Sequence, residues 1–267
     1  MIQNLLSSPA SIGATTQSLF DSIQRIVGGQ RINEAGDDPA GAAVVAKFDS
    51  IASSDRQAVR ATNDGMSIAQ TIDGAADTVQ ENLVKMRELS VAAASDTSGE
   101  AARAAFQDQV EQLADEINRT AETTEFNGIP LTEGSLDTIE VQASSDGADQ
   151  IAIDTADLTT SALGVDGLDL SDSAGAQASI DAIDAALKEV GKVRSDVGAQ
   201  HNRLASAAEA GSARVIDQQT AASQIADSGN MLGASENASA QLRLDASIAA
   251  KVQSRNLLAS TVTQLIG

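Results

Sequence analysis

The stretch Ile68-Ala-Gln-Thr-Ile72-Asp-Gly-Ala-Ala-Asp-Thr-Val79-Gln-Glu-Asn-Leu83-Val-Lys-Met86 decides the fold class. Ile68, Ile72, Val79, Leu83 and Met86 recur at spacings of four, seven, four and three. That is the repeat of one helix face, not the alternation of a strand. Towards the N-terminus the same helix is predicted to start near Pro39, a residue suited to a first helical turn. It continues through Ala43, Lys47, Ile51 and Val59, and Asp64-Gly65 marks either a kink or a tolerated glycine. Towards the C-terminus the helix is predicted to reach Ala94, with a turn over residues 95–99.

A second helix is predicted over residues 101–119, with Phe106, Val110, Leu113 and Ile117 on one face. Residues 125–130 break it. The character then changes to Ser, Thr, Asp and Gly up to about residue 170. Within that stretch Ile139 and Val141 alternate with polar residues, as do Ile151 and Ile153. The turn-forming residues 144–149 lie between them, so a β-hairpin is predicted. Helix returns with Ile180, Ile183, Leu187, Val190, Val193, Val197 and Leu204, and continues past Val215.

The two chain ends carry stripes of their own. Ile12, Leu19, Ile23 and Ile26 form a heptad-like series that Gly28-Gly29 interrupts, and residues 31–41 read as an irregular connector. Ile248, Val252, Leu258, Val262 and Leu265 form the C-terminal series. Neither stripe can bury itself within its own segment. The simplest partner is the other terminus together with neighbouring copies of the chain; the alternative is an ordinary monomeric core. The predicted fold class is mainly α: a long helical bundle and a coiled coil formed by both chain ends, with a small β-hairpin insertion in the middle. The corresponding divisions are an inner-core helix and connector over 1–42 and bundle halves over 43–130 and 176–218. A surface hairpin with loops occupies 131–175, and a C-terminal inner-core helix 219–267.

Composition narrows the function. Among 267 residues the only aromatics are Phe20, Phe48, Phe106 and Phe126. Ala, Val, Leu and Ile suit thin helix-to-helix seams better than a deep substrate pocket. The net charge of −21 repels phosphate backbones and anionic lipid, which argues against nucleic-acid and membrane partners. Without cysteine there is no disulfide or thiolate chemistry, and a single histidine, His201, cannot build a multi-histidine metal site. No run is long and apolar enough for a membrane span, and the first eighteen residues lack the pattern of a cleavable secretory signal. Three local features have sharper readings. His201 would be the phosphoacceptor if the chain were a histidine phosphotransfer protein, but an exposed histidine on a long helix is ordinarily polar surface. Asp37-Asp38 would be a metal pair, but adjacent carboxylates in a turn more often cap a helix. Gly28-Gly29 lacks phosphate-loop spacing and reads as a helix terminator. No cofactor and no reaction is implied.

Five ordered blocks resemble the bacterial flagellins. They are Arg31-Ile-Asn-Glu-Ala-Gly-Asp-Asp-Pro-Ala-Gly41, Asn63-Asp-Gly-Met-Ser-Ile-Ala-Gln70, Met86-Arg-Glu-Leu-Ser-Val-Ala-Ala93, Glu125-Phe-Asn-Gly128 and Val193-Arg-Ser-Asp-Val-Gly-Ala-Gln-His-Asn-Arg203. The resemblance covers roughly residues 1–130 and 180–267. It implies a non-enzymatic subunit of a motility filament, on the outside of the cell and exported without a cleavable signal. The terminal helices would pair as an inner coiled coil, making Ile12, Leu19, Ile23, Ile26, Ile248, Val252, Leu258, Val262 and Leu265 subunit-interface residues. Arg31, Asn33, Asp37 and Asp38 would form the connector motif. Implied partners are further copies of the chain, the flagellar export apparatus and its chaperone, the filament cap, hook-associated junction proteins and sister flagellins. The same superfamily also implies an alternative, the hook–filament junction protein. Lys85, Leu89 and Gln109 occupy the family's innate-receptor patch. Lys and Gln replace the Arg and Glu of the recognised form, which weakens it, because a lysine lacks the planar bidentate fork.

Overall fold

The computed structural model describes residues 27–227 continuously. On the N-terminal side it adds positions 16, 17, 20, 23 and 24. On the C-terminal side it adds positions 235, 238, 239, 241–243, 245, 246, 248, 249, 252, 253 and 256, and all of these flanking positions are helical. The chain divides into two compact units, Met1–Ala52 with Ile216–Gly267, and Ser53–Val215.

Helix α1 spans Pro39–Ala94 without interruption, so Gly65 is a tolerated glycine within it. Pro39 occupies the first turn, where a missing N–H is harmless. The turn over 95–99 is present, and its neighbourhood closes the end of α1. Ser98 Oγ donates to the Ala92 carbonyl at 2.7 Å, Arg103 Nε to that of Ala93 at 2.9 Å, and Ser173 Oγ to that of Ala94 at 2.8 Å. These are carbonyls the helix itself leaves unpaired. Helix α2 spans Glu100–Thr123 and helix α3 Ser173–Ala226. The start of α3 lies seven residues before the first large apolar residue of its stripe, because Asp172 caps it: Oδ1 accepts the Gly175 N–H at 2.7 Å.

In the unit Ser53–Val215 the core forms between α1, α2 and α3. Ile72, Val79, Leu83 and Met86 are fully buried, as are Ile117, Ile183, Val190 and Leu204. The predicted stripe of α1 thus faces the predicted stripes of α2 and α3. Its earlier half differs from the sequence reading. The buried positions there are Ala52, Asp55, Ala58, Thr62 and Gly65, while Ile51 and Val59 sit at the seam's edges. The physical reason is close approach: a Cβ on Gly211 would lie 2.7 Å from Val59 Cγ2, so α3 presses too near for large side chains. Three arginines bridge α1 and α3. Arg87 pairs with Asp184 at 2.6 Å, Arg194 with Asp73 at 3.0 Å and Asp77 at 2.7 Å, and Arg214 lies 3.9 Å from buried Asp55. As α1 numbers fall, α3 numbers rise, so the two helices are antiparallel.

Two hairpins follow α2, where one was expected. Strands β1 (Glu125–Phe126) and β2 (Ile129–Pro130) pair across Asn127-Gly128, both in the left-handed region with φ of 52° and 77°. A two-residue loop of that conformation matches strand twist, which explains why an Asn-Gly pair ends the helical region. Strands β3 (Thr138–Gln142) and β4 (Gln150–Asp154) form the expected hairpin, with Ile139 opposite Ile153 and Val141 opposite Ile151. It seats on α1 at Gly65, where an added Cβ would meet Val141 at 3.0 Å and Ile153 at 3.2 Å. The polar stretch after β4 is stitched down as well. Leu158, Leu163, Val165 and Leu170 are buried, and Gln107 of α2 bonds both the Leu168 carbonyl and the Leu170 N–H.

Candidate functional site

The connector is built from side chains that satisfy backbone groups. Residues 27 and 28 are helical, and Gly29 follows with φ of 68°, the left-handed conformation that ends a helix. Asn33 Nδ2 donates to the Gln24 carbonyl at 3.2 Å, pairing a carbonyl near that helix end. Asp37 Oδ2 accepts the N–H groups of Asn33 at 3.1 Å and Glu34 at 3.2 Å, which folds the turn. Asp38 caps α1, its Oδ1 accepting the Gly41 N–H at 2.9 Å. That bond, reinforced by Arg31, holds the Asp38 carboxyl below its ordinary range. Gly41 has no room for a side chain, since a Cβ would lie 2.5 Å from Asp38 Oδ2 and 2.6 Å from Ile32 Cδ1. Asp37 and Asp38 therefore serve separate backbone donors. Among the described residues there is no cluster of three or more potential metal ligands.

Arg31 joins this turn to the far end of the chain. Its Nη2 lies 3.1 Å from the Ile225 carbonyl and 3.3 Å from Asp38 Oδ2. Its backbone N–H donates to the Ala226 carbonyl at 2.5 Å, and Gln30 and Asp227 form an isolated antiparallel bridge. The four connector residues singled out from the sequence thus form two hydrogen-bonded pairs, Arg31 with Asp38 and Asn33 with Asp37. Their partners Ile225 and Ala226 could not be found in the sequence, since nothing local marks the end of α3 as the acceptor.

Of the proposed subunit-interface residues, Ile23, Ile248 and Val252 are described, with 39%, 48% and 53% of their surfaces exposed in the single chain. Ile12, Leu19, Ile26, Leu258, Val262 and Leu265 lie outside the described residues. Phe20 and Leu242, 66% and 69% exposed, add to this uncovered apolar surface. A large apolar side chain left in water forgoes about 1.5–3 kcal/mol of burial, so such a series points to a partner surface.

Lys85, Leu89 and Gln109 lie together in the structure. With Glu88, Gln112 and Leu113 they line a groove of about 370 Å³ between α1 and α2. His201 lines a second groove, between α1 and α3, with its Nε2 at 3.2 Å from Gln70 Nε2. An amide there gives the imidazole no basic activator, and the nearby Asp73 is engaged by Arg194. The phosphoacceptor reading gains nothing from this geometry. No helix among the described residues is long and apolar enough to cross a membrane.

The comparisons agree with one another. The family model for the bacterial flagellin N-terminal helical region matches residues 3–137, half of the chain. A flagellin from Halalkalibacterium halodurans is 38% identical over 185 residues, covering 68% of each chain. The crystal structure of Bacillus cereus flagellin superposes with a TM-score of 0.52 at 31% identity, covering 57% of this chain and 88% of that one. A candidate flagellar hook-associated protein from Vibrio parahaemolyticus reaches a TM-score of 0.62 over 72% of this chain and all of its own, but at 16% identity it shares the fold alone. With this helical architecture, these exposed terminal stripes and these matches in sequence and structure, the chain belongs to the flagellin family, the structural subunits of the bacterial flagellar filament.

Proposed function

We propose that this chain polymerises into the filament through residues 1–42 and 219–267, with its two ends pairing as an inner core and packing on neighbouring copies. The observation that carries the reading is the exposed apolar series represented by Ile23, Ile248 and Val252 in a chain of this family. Residues 43–130 and 176–218 act as the surrounding bundle, and residues 131–175 face outward. Assembly buries the terminal stripes, and the energy of that burial holds subunits together against the repulsion of −21 charges per copy. The partners are further copies, the export apparatus and its chaperone, the cap, the hook-associated proteins and any sister flagellins. The chain works on the outside of the cell. The groove at Lys85, Leu89 and Gln109 offers an innate receptor a weakened patch, because its lysine and glutamine supply neither a guanidinium fork nor a carboxylate.

Electron microscopy of the purified chain, polymerised by salt or from short seeds, tests the reading. Open-ended helical filaments are expected. Assembly that halts at short rings would instead assign the chain to the hook–filament junction.

A further inference from the structure

Arg31 sits where the start of α1 and the end of α3 meet, both within the unit that contains the chain ends. Ile225 and Ala226 are the last two residues of α3, so their carbonyls lack intrahelical donors and carry the negative end of the helix dipole. Arg31 meets both, Ala226 with its backbone N–H and Ile225 with Nη2. The same Nη2 faces Asp38, whose other carboxylate oxygen caps α1. One nitrogen with two hydrogens thus closes a ring from the C-terminus of α3 to the N-terminus of α1. The side chains of Arg31 and Asp38 are 50% and 33% exposed, so the ion pair alone contributes little. What the arrangement supplies is geometry: the points at which the chain's two ends leave α1 and α3 are tied to each other.

We infer that Arg31 is a positioning residue that couples the N-terminal connector to the end of α3, so that both chain ends enter the polymer in one fixed register. The consequence for the polymer rests on the filament reading above; the clasp itself belongs to the single subunit. Loss of the clasp leaves the terminal stripes in place, so filaments still form, but the register that sets their helical shape is relaxed.

The test uses the full-length chain with Arg31→Ala, Arg31→Lys, Asp38→Asn and the exchange Arg31→Asp with Asp38→Arg. In the free subunit, hydrogen exchange at the Ile32 amide, which donates to Ala226 at 3.3 Å, should speed up about tenfold in Arg31→Ala. Arg31→Lys should restore most of the protection. The exchanged pair should not, because an aspartate at position 31 would face the Ile225 carbonyl. In the polymer, Arg31→Ala should raise the critical concentration several-fold and change or scatter the filament curvature, with Arg31→Lys closer to wild type. Unchanged exchange in Arg31→Ala overturns the clasp. So does full rescue by the exchanged pair, which would reduce the site to an ion pair. Faster exchange with unaltered curvature and critical concentration overturns the coupling. If wild type forms no filaments while the exchange results hold, the filament reading fails and the clasp stands.

Discussion

Two apolar stripes written in the same style meet opposite fates in this chain. Ile72, Val79, Leu83 and Met86 on α1 lose all contact with solvent inside one subunit. Ile23, Ile248 and Val252 near the chain ends keep between 39% and 53% of their surfaces exposed. The difference does not lie in the stripes. The α1 stripe has α2 and α3 beside it in the same chain, and Arg87–Asp184 and Arg194–Asp73 join α1 to α3. In the proposed filament the terminal stripes find their apolar partners in the other chain end and in neighbouring copies. A stripe therefore specifies a helix and its buried face, and leaves open whether the burial happens on folding or on assembly.

Removing one terminal stripe has the largest expected effect. Deleting residues 1–27 or 246–267 should abolish polymerisation while the circular dichroism and melting of the central helices persist. Filaments of normal length from either truncation would mean the terminal stripes are not the assembly surface.

Point changes sharpen the same contrast. Leu83→Ala empties a fully buried site and should destabilise the free subunit by about 2–5 kcal/mol in chemical denaturation. Ile23→Asp should leave subunit melting near wild type yet prevent filaments, because a carboxylate in an apolar seam costs several kcal/mol, roughly, at every contact of the lattice. Gln24→Asp, one position round the helix, is the control. Equal polymerisation of the two variants would show that Ile23 faces away from the seam.

Salt separates the two burials next. The critical concentration should fall as ionic strength rises from ~0.01 M to ~0.15 M, since the screening length shrinks from about 30 Å to about 8 Å. Subunit stability should respond much less, for its core is aliphatic. A flat critical concentration would remove charge repulsion as the limiting term.

The smallest effect concerns acid. The Arg87 guanidinium bonded to Asp184 holds that carboxyl below its ordinary value. A folded-state value lowered in this way adds stability above the unfolded value of about 3.9 and loses it as pH falls through the folded value. Subunit stability should therefore decline below about pH 4, with a shallower slope in Asp184→Asn. Parallel slopes in the two proteins would show that the pair carries no linkage, as weak exposed pairs sometimes do.

Much of this was legible in the residues. The stripe from Ile68 to Met86, the turn before α2 and the pairing of Ile139–Val141 with Ile151–Ile153 all follow from periodicity, which backbone geometry imposes locally. The short hairpin at Asn127-Gly128 shows in the sequence only as a helix break, because two-residue strands leave no alternation to detect. The Ala52, Asp55, Ala58 and Thr62 seam was missed for a different reason. Small and polar residues look solvent-facing until a second helix comes close, as α3 does where Gly211 meets Val59. Asp55 gave no warning of burial either; its carboxylate accepts the Ser145 N–H at 2.8 Å from a turn 90 residues away.

Residue order alone settled the helical class, the apolar faces of α2, of α3 and of α1 from Ile68 to Met86, the central hairpin and, through five ordered blocks, the family. Local spacing suffices for these, since a repeat of three and four residues leaves one face apolar whatever lies beside it. Tertiary structure decided which residues meet across long separations: Arg31 with Ile225 and Ala226, Arg194 with Asp73 and Asp77, Gly65 with the hairpin. Those partners depend on how closely whole elements approach and in what register, and that is a property of packed surfaces that no short stretch of chain contains.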